Sequence, residues 1–503
     1  MYLKLKVVFG IILGLSISAE AGKMQSYCYM GEDSKEISGG YHANEKLPLA
    51  SVTKILTSLS VLSTVGARTK LFTQFYATKV GSDLYDVHIK GARDPYFARP
   101  SMHTLISRLN EMGVKKIRTL SFDENFKYLH DTNQVNSAGG RSYNPVTGKA
   151  SVDAPNENFV KLLLSNKREV LRDYDKSRKE AAINNVILVG KPIYNPQEIK
   201  AVSSTYQPPA SAEKGYVSSM EMIDIIKYMN WNSNNHVANS LMMIAGGVEK
   251  TEKLFYEKFK LSPADVTFEN GSGQNADLKG EGRKYTEASC ETTVRSVKAL
   301  KKNLEAQNMK LEDALAVTGG DIGSTIDAAV YKKYLKAKTV VAKTGTVGVA
   351  VTLAGMASSK NGKFFFMYSV EPKQPSGRMK AHAASRFRDN EAARCRAQIG
   401  QKLAEKIALV DAGYPLDFEF KNDRERRKFA ERNKSSGLPI AYVDRKYDVI
   451  NFEDSGDENA PELNETALED ETANKKAAPV KKLPSSLPEY TPVQNYKPSH
   501  LNG

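Results

Sequence analysis

Three short stretches of this 503-residue chain carry side chains suited to acyl transfer. Ser51-Val52-Thr53-Lys54 places a hydroxyl and an amine three residues apart, so on a helix the two share one face. The chemistry open to such a pair is attack by the serine with the lysine as base. That requires a neutral lysine, and burial or a neighbouring cation lowers its pKa toward that state. A second lysine nearby is therefore a useful component. Ser233-Asn234-Asn235 adds a hydroxyl able to relay a proton and an amide able to hold a substrate carbonyl. Lys343-Thr344-Gly345 occurs once and ends a strand-like run, and its glycine would let a substrate backbone come close to a strand edge.

The first two patterns recur elsewhere. Ser211-Ala212-Glu213-Lys214 lies in a Pro-containing linker with no apolar helix behind it and reads as a polar loop. Ser142-Tyr143-Asn144 and Ser359-Lys360-Asn361 repeat Ser-x-Asn, the latter as a hairpin turn between two strands. Asn270-Gly271-Ser272-Gly273 lacks the fifth position of a Gly-x-Ser-x-Gly elbow and is assigned no chemistry.

The elements around these motifs follow from periodicity. Two strand-like pieces between Tyr27 and Ile37 flank a Gly31-Glu32-Asp33-Ser34 turn and lead toward Ser51. Ile55, Leu56, Leu59 and Leu62 then form one apolar helical face, which sets Ser51 at a helix N-terminus. From Arg68 the pattern becomes mixed: strands at Leu71 to Thr78, Leu84 to Ile89 and Lys116 to Phe122, and a helix around Leu105 to Glu111. An inserted domain is expected here. Its polar part from Ser142 to Lys191 supports no assignment. Ser203 to Gly215 reads as the return linker, and Ser218-Ser219-Met220-Glu221 as a capping box opening a helix. Thr339 to Lys343, Ala350 to Ala357 and Lys363 to Val370 predict an antiparallel meander, and Arg388 to Val410 a last helix.

Composition bounds the rest. Lys4 and Lys6 precede an apolar run from Val7 to Leu15, and Ala19-Glu20-Ala21 supplies a small-x-small cleavage pattern, so residues 1–21 read as a signal peptide. That run is too short to span a bilayer, and no stable membrane insertion is expected after cleavage. The location expected is periplasmic or secreted. Three cysteines, Cys28, Cys290 and Cys395, allow at most one internal disulfide; an approach of Cys290 to Cys395 is one option that sequence leaves open. The net charge is +14, although Glu453 to Glu471 holds nine acidic residues and no basic ones, so the body is more basic still. A basic exported body suits an anionic polymer. The basic residues are dispersed without a recognition module, which argues against nucleic acid, and the scattered histidines form no metal-ligand motif. No cofactor and no metal are expected.

Taken in order, the three motifs resemble those of penicillin-binding proteins and class A β-lactamases. The chain resembles in particular the low-molecular-mass penicillin-binding proteins of the D-alanyl-D-alanine carboxypeptidase and endopeptidase type, serine peptidases with a domain inserted between the first two motifs. Leu47 to Thr57 looks like that family's nucleophile segment, Gly91-Ala92-Arg93-Asp94-Pro95 like its Gly-Asp-Pro turn, Ser233 to Asn239 like Ser-Asp-Asn-x-x-Ala-Glu, and Asn270 to Gly273 like Asp-Gly-Ser-Gly. Asn234, Asn239 and Asn270 replace acidic residues of the pattern. The 182 residues from Ser51 to Ser233 leave ample room for the insertion.

The resemblance implies an α+β fold, an antiparallel sheet flanked by helices. Residues 22–67 and 203–416 would form a discontinuous catalytic domain, 68–202 the inserted domain, and 417–503 a charged, Pro-rich disordered tail. It also implies a mechanism. Lys54 takes the proton of Ser51, which attacks a D-alanyl carbonyl, and Ser233 passes the proton to the leaving amine. Backbone N–H groups of Ser51 and Thr346 form the oxyanion hole. Lys343 keeps the site positive, Thr344, Gly345 and Thr346 receive the substrate, with the two hydroxyls on its carboxylate, and Asn235 orients the acyl peptide. The implied partners are peptidoglycan stem peptides, with β-lactams as covalent inhibitors; protein partners are not readable. A β-lactamase shares the motifs but needs a deacylating base that the sequence does not locate. A silent wall-binding module fits the basic body but not the intact catalytic set.

Lys54→Arg separates charge from basicity. It is expected to abolish acylation, because a guanidinium stays protonated and cannot accept the Ser51 proton; an active Lys54→Arg enzyme, measured with a labelled acyl donor, would remove Lys54 as the base.

Overall fold

A computed structural model describes residues 22–97, 99–126, 164–183, 187–276, 282 and 284–406. The signal peptide expected at 1–21, the Ser142 motif and the tail expected at 417–503 lie outside them.

Strand β1 (Gly22–Gly31) pairs antiparallel with β2 (Gly39–Tyr41), Tyr27 opposite Tyr41. The expected second arm before Ile37 is displaced toward the C-terminus. Lys298 Nζ donates to the carbonyls of Glu32 and Ser34, which holds that stretch against a helix rather than in the ladder. After β3 (Leu47–Pro48) and a 3₁₀ turn over Ala50–Val52, helix α1 (Thr53–Thr64) runs almost wholly buried.

The inserted region forms its own five-stranded sheet from β4 (Lys70–Lys79), β5 (Leu84–Lys90), β6 (Lys116–Asp123), β7 (Glu198–Val202) and β8 (Glu213–Glu221), in the order β7-β6-β5-β4-β8. β6 runs parallel to both its neighbours, which requires crossovers. α2 (Arg99–Glu111) and α3 (Arg168–Ile183) lie in the two connections. Leu71, Thr73, Phe75 and Ala77 are buried at every second position of β4, and Phe75 packs in one core with Leu105, Ile106 and Tyr174 from the two helices.

Two expectations fail at the return of this insertion. Gly215 does not end a linker: it sits in β8 over the Phe75 ring, where a Cβ would lie 2.2 Å from Phe75 Cζ. Ser218 and Ser219 do not cap a helix either. Ser218 pairs with Phe72, and Ser219 Oγ accepts from the Leu71 N–H at 2.8 Å, so the edge of β4 takes these residues into the sheet as far as Glu221. The boundary drawn at 203 therefore falls short of the last strand of the inserted sheet. The helix α4 begins at Met222 and runs to Asn232.

The remainder continues with α5 (Asn235–Ile244), α6 (Gly247–Lys258), β9 (Val266–Thr267), β10 (Glu287–Ala288), α7 (Cys290–Glu305), β11 (Ala316–Val317), α8 (Ala329–Lys332), β12 (Val340–Val347), β13 (Ala350–Ser359), β14 (Gly362–Pro372) and α9 (Ala381–Lys406). The meander forms as expected and belongs to a six-stranded sheet, β11-β12-β13-β14-β1-β2, antiparallel throughout. Both faces of its centre are covered, which is why β13 reads as a continuous apolar run. Val341, Ala354 and Met356 face the core that holds α1, α4 and α7; Val351, Leu353 and Phe366 face Cys395, Ile399 and Leu403 of α9. Cys28 and Cys290 share the first face and form a disulfide. The thiol of Cys395 lies under the other face, so the Cys290 to Cys395 approach is not made.

The Gly91 to Pro95 turn ties the insertion to this body. Tyr96 enters the core containing Tyr228 and Trp231, whose rings stack 5.6 Å apart on α4. Asp94 Oδ1 accepts from the Tyr96 N–H at 2.8 Å, yet burial pushes its carboxyl up to about 7. A raised acid pKa means that the folded protein holds a proton which the unfolded chain has lost, so stability falls as pH climbs from the ordinary carboxylate range toward 7. Asp94→Asn keeps the acceptor without the charge. It is expected to raise Tm by several degrees at about pH 8 and to change it little at about pH 4, as calorimetry would show; equal melting at both pH values would contradict the burial account.

Candidate active site

Segments distant in the sequence converge on the turn that carries Ser51 and on Lys54 behind it. The 3₁₀ turn that carries it starts with Ala50 at φ 49, a conformation unfavourable for a residue with a Cβ, and is held there by neighbours on three sides. Thr352 Oγ1 of β13 donates to the Leu49 carbonyl at 2.8 Å. Gly345 of β12 lies so close that a Cβ would come within 2.1 Å of Thr352 Oγ1 and 2.9 Å of the Leu49 oxygen. Gly273, at φ 73, leaves room for the Ala50 carbonyl, which a Cβ there would meet at 1.8 Å. Both glycines are thus required by close approach.

Lys54, one turn into the helical segment, is fully buried. Its Nζ is 2.9 Å from Ser51 Oγ, 2.6 Å from Asn235 Oδ1 and 3.1 Å from the Ser272 carbonyl. Two of these three neighbours can only accept. A neutral amine has two N–H groups and one lone pair, so donation to Asn235 and Ser272 aims the lone pair at the Ser51 hydroxyl, which then donates to it. An ammonium would have no lone pair to offer. Three acceptors would also satisfy the three donors of an ammonium, so burial first, and the Lys343 charge second, decide the form by holding Lys54 well below the usual lysine range.

Lys343, also buried, donates to Ser233 Oγ at 2.9 Å and to the Thr344 carbonyl at 2.7 Å, and burial lowers its pKa to about 7. Ser233 ends α4 in the left-handed conformation, φ 55, which directs its hydroxyl to Lys343 before the chain turns into α5. Asn234 caps α5 by accepting from the Val237 N–H at 3.1 Å. Asn and Asp cap equally well, so its departure from the acidic pattern costs the helix little.

β11 pairs only with Val341 and Ala342, so the edge of β12 from Lys343 to Val347 is left without a neighbouring strand. Thr344 Oγ1 lies 2.8 Å from Thr325 Oγ1, Thr346 is exposed and donates to the Gly345 carbonyl at 2.7 Å, and Arg396 Nη2 donates to Thr346 Oγ1 at 3.0 Å.

All eight residues expected from the sequence therefore meet in one place. Ser211 and Lys214 lie exposed at the start of β8, and Ser359 and Asn361 at the β13 to β14 turn. What sequence reasoning missed is the Asn270 to Gly273 loop, left without chemistry. Asn270 Oδ1 accepts from Ser272 N at 3.1 Å, Ser272 Oγ at 3.0 Å and Gly273 N at 2.8 Å, and this folded loop presents the Ser272 carbonyl to Lys54. Its likeness to Asp-Gly-Ser-Gly was the available signal. Thr325 and Arg396 had none.

The sequence matches the D-Ala-D-Ala carboxypeptidase 3 (S13) family over residues 29–163 and 200–389. No match is found among curated proteins. Among solved structures, the predatory endopeptidase Bd0816 of Bdellovibrio bacteriovorus, in complex with immunity protein Bd3460, is 28% identical over 78% of this chain and 96% of its own, with a TM-score of 0.64. Bd3459 of the same organism, a predatory peptidoglycan endopeptidase, is 28% identical over 79% of this chain and 95% of its own, with a TM-score of 0.63. Penicillin binding protein 4 of Haemophilus influenzae shares the fold at 15% identity, covering 76% of this chain and 97% of its own with a TM-score of 0.53.

The two amines define a pH window. Attack by Ser51 needs Lys54 without its proton, so the rate rises as pH passes upward through that lowered pKa. The positive charge on Lys343 must persist, so the rate falls as pH passes its value near 7. Acylation of Ser51 followed against pH is expected to be bell-shaped, its limbs belonging to the coupled pair. Lys343→Arg should displace the falling limb upward; an unmoved limb would show that another group sets it.

Proposed function

Because the chain belongs to the D-Ala-D-Ala carboxypeptidase 3 (S13) family and is a serine DD-peptidase, we propose that it is exported and cleaves D-alanyl peptide bonds of peptidoglycan through an acyl-enzyme on Ser51. The observation that carries this reading is the buried Lys54 amine 2.9 Å from the Ser51 hydroxyl, with burial and the nearby Lys343 charge favouring its neutral form.

The stem peptide lies along the free edge of β12, and Asn235 orients its acyl part. Lys54 removes the Ser51 proton as Oγ bonds to the D-alanyl carbonyl carbon. The N–H groups of Ser51 and Thr346 receive the oxygen that becomes negative, and Lys343 adds its charge. Collapse breaks the C–N bond, and the proton held by Lys54 reaches the leaving nitrogen through Ser233, which is fixed by Lys343 at 2.9 Å. Thr344 and Thr346 hold the leaving residue's carboxylate. Water then attacks the ester and gives a proton to Lys54, the C–Oγ bond breaks, and Lys54 returns that proton to Ser51 Oγ. The acyl step is common to carboxypeptidase and endopeptidase cleavage.

Export is supported by the residues 1–21 pattern and by the buried Cys28–Cys290 disulfide, a bond that persists in oxidising compartments. The relative Bd3459 is acylated by penicillin G. A strained β-lactam amide offers the same nucleophile a comparable carbonyl, but its opened ring stays attached and obstructs water.

Incubation with a labelled penicillin and mapping of the modified peptide tests the reading. The expected result is a persistent adduct on the Ser51 peptide that is lost in Ser51→Ala. Rapid antibiotic turnover without an adduct would indicate a β-lactamase, and no reaction by folded protein a silent binder. An adduct at Ser211 or Ser272 would overturn the nucleophile assignment.

A further inference from the structure

A pocket of about 320 Å³ opens where β12 leaves the active site. Thr346 forms part of its wall, and Lys373 and α9 residues Arg388 and Arg396 supply three cations against the one carboxylate of Asp389. Arg388 and Arg396 are eight residues apart, with Ala392 between them on the same helix face, so both guanidinium groups are presented to one opening. Among the described residues no ion pair engages Lys373, Arg388 or Arg396; the nearby acid of α9, Glu391, instead takes the Lys373 N–H and Arg394. The pocket is joined to the catalytic strand by the 3.0 Å bond from Arg396 to Thr346.

We propose that this pocket is a leaving-side subsite for a carboxylate of the second stem peptide in a peptidoglycan cross-link, and that it biases the enzyme toward cross-links over terminal D-alanine. The proposal rests on the acyl transfer at Ser51 described above. A terminal D-alanine leaving group has one carboxylate, next to the scissile bond, and a methyl group. The hydroxyls of Thr344 and Thr346 account for that carboxylate, and nothing in so small a group reaches Lys373 or Arg388. The leaving part of a cross-link is a whole peptide that continues past Thr346 and carries further carboxylates. Guanidinium forks suit a carboxylate, and an ammonium adds charge without fixing orientation. Arg388 and Lys373 are exposed and Arg396 half-buried, so the attraction is partly screened and acts on affinity rather than on the chemical step.

The test compares wild type with a Lys373→Ala/Arg388→Ala double variant on two substrates, a pentapeptide ending in D-Ala-D-Ala and a cross-linked muropeptide dimer. On the dimer kcat/KM should fall about tenfold, through KM, while on the pentapeptide it should change by no more than about twofold. A dimer amidated only at the carboxylates beyond the leaving residue's own should be cut by wild type about as poorly as the free acid is cut by the variant. Equal losses on both substrates, or an unchanged dimer, would overturn the subsite. Binding of the intact dimer to Ser51→Ala protein, with and without the two substitutions, asks the same question without turnover: about tenfold weaker binding supports the pocket, and unchanged binding refutes it. Loss of the penicillin adduct in wild type would instead strike the Ser51 reading, and the binding measurement would still decide the pocket.

Discussion

The site depends on keeping an amine dry and uncharged beside a hydroxyl. In water a lysine is protonated and useless as a base at neutral pH; buried without a counter-charge it gives up its proton, because a low-dielectric surrounding penalises the ammonium. Lys54 has no carboxylate among its hydrogen-bond partners, only a hydroxyl and two carbonyl-type oxygens. A carboxylate in place of Asn235 would favour the charged form and defeat the base. In the Asn270 loop one amide oxygen gathers three donors and so fixes the turn that presents the Ser272 carbonyl.

Burial of that amine determines what surrounds it. α1 must be covered on all sides, and it packs against α4, α5 and α7 in a core continuous with one face of the six-stranded sheet. The nucleophile's turn must then be pressed close to the sheet, so two glycines stand where a side chain would push it away. The left-handed backbone at Ala50 and at Ser233 costs something at each position, of the order of 1–3 kcal/mol, and is held by the packed elements on either side. Both residues adjoin or carry reacting groups, so the cost falls where orientation matters.

Lys343 provides the contrast. It is as buried as Lys54 and its partners, the Ser233 hydroxyl and its neighbour's carbonyl, are of the same kind, but burial lowers it only to about 7. Two lysines in one site therefore differ in charge through their mutual repulsion: the charge on one helps keep the other neutral. The free edge of β12 completes the arrangement, since β11 stops short and leaves the strand beside the two amines without a neighbour there.

The sequence alone determined which side chains could carry chemistry and the sheet that brings them together. Ser51, Lys54, Ser233, Asn235 and Lys343 to Thr346 were legible because the motifs are short and local, and β12 to β14 because alternation and tight glycine turns are local as well. Reading failed where the answer depended on a distant partner. Ser218 to Glu221 has the local signature of a helix start, but the open edge of β4 claims it as a strand. The disulfide depended on which face of the sheet each cysteine occupies, a property of packing rather than of spacing. Ser272 holds Lys54 through its backbone carbonyl, which every residue type possesses, so only the likeness of its loop to Asp-Gly-Ser-Gly could mark it. Arg396 reaches Thr346 from α9, 50 residues along the chain, and only the fold of that helix onto the sheet brings a guanidinium to the end of the catalytic strand.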